Sequence, residues 1–405
     1  MTPVFCCGFE CGQFGSVGQH WSTLGSGASV STSTVRSGAR SIRLNLSAAQ
    51  SPNSVSTTMV SSGTVLVGRF YVYFTTLPTI DYRILNVNTA NETNSGNVLF
   101  KSSDSKIYAA NNTTTGSTGV SVTTGVWYLI DFYFNCTANP RTMDVQVNGV
   151  ACGQSTNAIA ASTITQFFLF GTTGVTTVDV FADDVIVSQT SGDYPIGAGY
   201  VNHFVPTADG THNVAGAADF RRGNTTTDIT NATTNAYLLV DDVPLDDTTP
   251  DTDDHIRIVA PPNATDYVEC IYGPAPGIST PTKAPRAVEV IAEFFAAGTG
   301  AADEIIKLND NGTVDDVYNG TGVAGTTTGI YKRKHYATPP TGGAWTVVSG
   351  AGNFNNIRFR YGYASDANPD KSLMCTMIEA EFAEDTGIPN KIVQLNQAVK
   401  RAAYW

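Results

Sequence analysis

The run Trp127-Tyr128-Leu129-Ile130-Asp131-Phe132-Tyr133-Phe134 is apolar on both of its alternating faces. Tyr128, Ile130, Phe132 and Phe134 form one face, and only Asp131 breaks the apolar character of the other. Such a run predicts a central strand covered on both sides. Phe70-Tyr71-Val72-Tyr73-Phe74 carries the same period of two, with Phe70, Val72 and Phe74 together. Asn148-Gly149, between Val147 and Val150, is a two-residue hairpin signal. Charged residues make up 14% of the chain, against about 25% in an average protein. Ser, Thr, Asn and Gly take their place, a mix that favours strands and tight turns over helices. An all-β chain is expected.

Its 405 residues suffice for two domains. Turn and breaker residues cluster at Ser191-Gly192-Asp193-Tyr194-Pro195-Ile196-Gly197-Ala198-Gly199, which marks a boundary. Beyond it, strands are expected at 287–295, 328–336, 355–363 and 374–382. The core face of the third is Ile357, Phe359, Tyr361 and Tyr363. That of the fourth is Met374, Thr376, Ile378, Ala380 and Phe382. The expected architecture is two antiparallel β-sandwich, jelly-roll-like domains in tandem, 1–192 and 200–383. A short amphipathic helix follows over 388–405. Asn390 is its N-cap, and Ile392, Leu395, Val399 and Ala402 recur at helical spacing before Tyr404-Trp405.

The charge of −12 is uneven: residues 1–195 hold 8 basic and 10 acidic residues, and the remainder holds 15 and 25. This balance repels phosphate backbones and anionic lipid, so neither nucleic acid nor membrane is expected as a partner. No signal peptide and no stretch of membrane-spanning length is visible, which predicts a protein made in the cytoplasm. Seven cysteines at 6, 7, 11, 136, 152, 270 and 375 read as structural thiols. Cys6, Cys7 and Cys11 with His20 lack the spacing of a zinc ribbon or finger, and Cys6 and Cys7 should point to opposite faces of a strand.

The usual catalytic motifs are missing: no phosphate-binding glycine loop, no Gly-x-Ser-x-Gly elbow and no His-Glu-x-x-His. His20, His203, His212, His255 and His335 lie far apart and read as turn or surface residues. Glu379-x-Glu381 places two carboxylates on one strand face, as in some sandwich-fold glycosidases. Cross-strand pairing with Arg358 and Arg360 on a solvent face is the preferred explanation. The acidic run 241–254, with seven aspartates, reads as a solvated loop.

Four segments combine: Gly8-Phe9-Glu10-Cys11-Gly12, the "GVWYLIDFYF" strand, the strand running into Asn148-Gly149, and Phe181-Ala182-Asp183-Asp184-Val185-Ile186-Val187. Together they resemble the concanavalin A-like jelly roll in its laminin-G-like form, which often opens tailed-bacteriophage virion proteins. Residues 200–383, with "GYVNHFVPTADGTHN", "YLLVDDVPLDD" and "ATPPTGGAWT", resemble the second domain of such proteins. The resemblance implies a non-enzymatic structural protein on the virion exterior, a capsid decoration or tail component. Its partners would be other virion proteins, copies of itself in a trimer, and a host-surface glycan. The alternatives are a glycan-binding adsorption protein, with Trp21 and Trp127 as candidate contacts, and a polysaccharide depolymerase. Related carbohydrate-binding modules hold a structural calcium with a Phe-Glu entry and an Asp-Asp-Val exit. Carried over, Glu10, Asp183 and Asp184 become its ligands.

Overall fold

The computed structural model describes residues 3–384 except 13–20, 22, 25–26, 47–54, 113, 172–176, 216–218, 242–254, 260–264, 297–300, 303, 320–322, 325–329 and 364–370. The described chain is all-β, apart from 3-10 turns at Ser191–Asp193, Ala236–Leu239 and Phe354–Asn356. Among the described residues, no helix is long and apolar enough to cross a membrane. The expected helix at 388–405, and with it Tyr404-Trp405, lies outside the described residues, as do His20 and residues 242–254 of the acidic run.

Residues 3–188 form a nine-stranded and an eight-stranded antiparallel sheet that share one apolar core. Trp127–Asn135 is a central strand, between Val65–Thr76 and Arg141–Val147. Phe70, Val72, Phe74, Ile130, Phe132 and Phe134 fill the core between the sheets. Asn148 and Gly149 both take positive φ and close the predicted hairpin, pairing Val147 with Val150. The first strand, Pro3–Cys7, lies beside the last, Val178–Ser188. As predicted, Cys7 faces the core while Cys6 faces away from it.

Residues 199–383 form an eleven-stranded antiparallel sheet around its own core. Here the architecture differs from the expected pair of facing sheets. The sheet curls, and its last strand, Thr313–Asn319, meets Ile330–Tyr336 where Lys334 Nζ bonds Asp315 and the Asp316 carbonyl. The 13-residue strand Lys371–Ala383 is the hub. Ala287–Ala296 runs along one edge, while Ile256–Ile258 and Gly199–Asp209 share the other.

The predicted core face of that strand holds at Ile378, Ala380 and Phe382, and Thr376 is buried too. It fails at Met374. The register shifts opposite Glu293 and Phe294, so Leu373 enters the core and Met374 turns to the other face. One extra residue in a strand reverses every side chain beyond it. The other face of the hub, where Glu379 and Glu381 sit, is also buried, because the nine-stranded sheet covers it.

Candidate functional site

A seam of buried charge lies where the nine-stranded sheet meets the curled one. Strand Val178–Ser188 prepares it by a bulge. Up to Ala182 it pairs with Ser41–Leu46, and from Val185 onward with Pro3–Cys7. Between these stretches Asp184 takes φ 54°, and both aspartates are fully buried. A bulge of this kind re-aims side chains at the cost of ladder bonds. Phe9, at φ 62°, turns the chain after the first strand and delivers Glu10 to the same seam.

The three predicted calcium ligands do meet, but protein donors hold them. Glu10 accepts from the Ala39 and Arg40 amides at 2.9 and 3.2 Å, and His203 Nδ1 stands 3.1 Å away. Asp183 accepts from the Arg36 and Asp184 amides at 2.9 and 2.8 Å. Asp184 receives Arg36 Nη1 at 2.7 Å, Ser37 Oγ at 2.5 Å and the Val201 amide at 2.6 Å. Calcium needs six to eight oxygens turned on one point. These oxygens are turned on N–H and O–H groups, and the guanidinium of Arg36 already supplies the positive charge. The residues do not fit a calcium ion. Burial, then Asp184 and Glu10, push the Asp183 carboxyl well above the usual range. Gly38, at φ 62°, lies so close to the Glu10 carboxylate that no Cβ fits.

Glu379 and Glu381 face the same seam, which corrects the expected pairing on a solvent face. Arg358 and Arg360 bind Glu269 instead, at 3.1 and 2.6 Å. Glu269 sits opposite Arg360 in the ladder, whereas the two glutamates belong to a different strand pair. Glu381 is held by Arg69 at 3.2 Å and by the Arg286 fork, with Nε at 2.7 Å. Gly199 packs so tightly against Arg69, Glu381 and Arg286 that a side chain there would displace all three. Glu379 accepts the Glu10 amide at 2.9 Å. Burial raises its carboxyl to about 7, against the pull of Arg333.

Asp131, the polar break in the central strand, is buried and accepts the Gly197 amide at 2.9 Å. Arg286 binds the Ile196 carbonyl at 3.1 Å, and the Gly199 amide donates to Tyr71 Oη at 3.3 Å. The breaker segment is thereby pinned to both sheets.

Above the seam opens a cleft of about 620 Å³, between residues 32–39 and the 277–282 loop. Its lining offers short polar groups, among them Thr32, Ser33, Ser37, Asn202 and Ser279. It also offers Tyr200, whose ring stacks on Phe382 at 5.5 Å. Arg36 lines the floor with its guanidinium spent on Asp184, Glu384 and the Gly199 carbonyl. Neither Glu379 nor Glu381 lines it. Of the two aromatic candidates, Trp21 is buried among Phe5, Phe9 and Phe167. Trp127 is half-buried beside Tyr73 at 5.4 Å, away from the cleft.

Arg36, Arg69, Arg286, Glu289 and the histidines at 203 and 335 were not singled out from the sequence as site residues. A signal existed: Arg69 in Val65-Leu66-Val67-Gly68-Arg69-Phe70, and Glu289 and Glu293 in Ala287-Val288-Glu289-Val290-Ile291-Ala292-Glu293-Phe294, are charges inside strands apolar on both faces.

No family model matches the chain, and no curated protein does. Several solved structures resemble it at low identity. A cellulose-induced protein is 15% identical over 46% of this chain and 97% of its own, with a TM-score of 0.37. An alginate lyase variant in complex with alginate tetrasaccharide is 11% identical over 47% and 98%, with a TM-score of 0.33. A sialidase is 13% identical over 42% of this chain but only 16% of its own, with a TM-score of 0.32. The expectation that the chain is not an enzyme is corrected by these neighbours.

Proposed function

We propose that this chain is a glycan-binding protein on the exterior of a tailed-phage particle, with the cleft beside Tyr200 as its sugar site. The observation that carries the reading is the composition of that cleft. Sugars present hydroxyls along their rims and apolar C–H faces. The cleft meets the former with short hydroxyl and amide side chains and the latter with the Tyr200 ring. Arg36 is already neutralised by Asp184 and Glu384, so a neutral glycan suits the site better than an anionic one. The resemblance to laminin-G-like virion proteins supports a place on the particle surface. Two tandem β-sandwich domains, the second built from one curled sheet, a C-terminal docking helix, self-association as a trimer and contacts with other virion proteins all belong to this reading.

Titration of the full chain with neutral surface polysaccharide of the host should show saturable binding. Tyr200→Ala should weaken it about tenfold or more, a loss near 1.4 kcal/mol, while Trp127→Ala leaves it unchanged. Loss of binding in Trp127→Ala with Tyr200→Ala unaffected would move the sugar to the outer sheet face. New reducing ends, measured in the same samples, decide whether the bound glycan is also cut. Mass spectrometry of purified particles tests the placement.

A further inference from the structure

A row of four titratable side chains crosses the curled sheet on its buried face. His203 stands opposite Glu379, Glu379 opposite Glu289, and Glu289 opposite His335. Carboxylates directly opposite one another repel at about 5 Å unless a proton or a cation lies between them. Arg333, on the next row, supplies one positive charge, and its guanidinium is directed at Cys11 Sγ at 3.4 Å. The first strand lies against this row and presents Cys6, whose thiol points at the Glu379 carbonyl at 3.8 Å.

We propose that Cys6, Glu289 and His335 form a binding site for a divalent transition-metal ion, zinc by the chemistry of the donors, which ties the first strand to the curled sheet. One thiolate, one imidazole and one carboxylate are donors that zinc accepts together, and that calcium and magnesium do not. Their ligand atoms all lie within 4.8 Å of one another. Tetrahedral zinc bonds place neighbouring ligand atoms roughly 3.3–3.7 Å apart, so small side-chain movements close the set.

Two unpartnered atoms point the same way. His335 Nε2 and Glu379 Oε2 are buried without a hydrogen-bond partner among the described residues. The Glu379 side chain is fully buried and stands directly opposite Glu289 in the ladder, a further carboxylate on the same row. His335 Nδ1 lies 3.1 Å from Glu289 Oε2, which fixes the ring. His335 is also the one member of the trio that is not fully buried, and so provides the route of entry.

Burial and the surrounding carboxylates push the Cys6 thiol well up, so the metal-free thiol keeps its proton. On binding, the S–H bond breaks, the proton leaves to solvent and the sulfur lone pair forms the bond to the metal. No change of oxidation state is involved.

The full chain, stripped with chelator and checked by circular dichroism, is titrated with cobalt(II) alone and separately with zinc(II). Cobalt should bind in equimolar amount, with a thiolate-to-metal charge-transfer band and the intense visible bands of tetrahedral geometry. Zinc should displace it and raise the melting temperature. Cys6→Ser should abolish the charge-transfer band. His335→Ala, at a site open enough to leave the fold intact, should weaken binding by about 100-fold or more. Cys7→Ser, which removes a core thiol outside the trio, should keep the band. A full chain without the band overturns the proposal. So does a band that survives both Cys6→Ser and His335→Ala.

Discussion

Replacing Glu381 by alanine should destabilise the folded chain by about 3–5 kcal/mol, a fall of roughly 10 °C in the first thermal transition. Arg69 and Glu381 are both completely buried, 3.2 Å apart, where the nine-stranded sheet meets the curled one. With the carboxylate gone, the Arg69 guanidinium keeps one hydrogen bond to the Asp184 carbonyl, faces Tyr71 and retains only the longer-range attraction of Asp184 and Asp131, with no other carboxylate at ion-pair distance among the described residues. A guanidinium stranded in the interior cannot shed its proton, so the desolvation cost falls on the fold. Arg286 loses the same partner but is partly exposed and can turn to water.

The double variant Arg69→Met/Glu381→Met separates the stranded charge from a simple loss of packing. It should lie closer to the parent than Glu381→Ala does, because two well-packed apolar groups replace a buried pair at little cost. A loss under about 1 kcal/mol for Glu381→Ala would show that the seam is wet enough to solvate a free guanidinium.

That pair also shows where sequence reading stops. Period-two alternation located the strands, since the side-chain period of a strand is a local property. It placed Phe70, Ile130, Phe359 and Ile378 in the cores they occupy. It could not say what covers the second face of a strand. Glu379 and Glu381 read as solvent-facing because they are charged, yet a sheet formed by residues 3–188 lies over them. Their partners Arg69, Arg286 and Arg333 come from three other strands or loops, and nothing local to 374–382 encodes that meeting.

The bracket of Glu10 with Asp183 and Asp184 was legible as a meeting of the first and last strands, and that pairing is present. The occupant was not. Arg36 lies in a loop whose approach depends on the bulge at Asp184 and on the room left by Gly38. Bulges also explain the exchange of Leu373 for Met374, because an inserted residue carries no compositional mark. The histidines were read as surface residues for want of neighbours in sequence. His203 and His335 gain theirs from register, between strands far apart in the chain, and His212, in the loop after Gly199–Asp209, gains the Glu269 amide.

Acidification should weaken the curled sheet through Glu269 and His212, with a sign opposite to the effect on the seam. Glu269 is buried, yet four donors outweigh that burial: Arg360 at 2.6 Å, the Thr211 amide at 3.1 Å, Asn309 at 2.7 Å and Arg358 at 3.1 Å. They hold its carboxyl below the ordinary value of 4.5. The stability it contributes is therefore present above about pH 4.5 and is lost as pH falls through the lower folded value. Burial holds His212 below its ordinary 6.5, and its Nδ1 accepts the Glu269 amide at 3.1 Å, a role open only to the neutral ring. Unfolding lets that ring take a proton, so stability drains away as pH drops below about 6.5. In the seam, Asp183 and Asp131 have raised carboxyls and are eased by the same protons. The informative quantity is thus the difference between parent and variant at each pH. Glu269→Gln should cost about 2–3 kcal/mol at pH 7, because it strips the charge from two arginine bonds, and the gap should close below pH 4. His212→Asn should flatten the parent's loss of stability between pH 6.5 and 5 and leave the acid limb in place. Equal pH profiles for the parent and both variants would mean that neither group changes its protonation on unfolding.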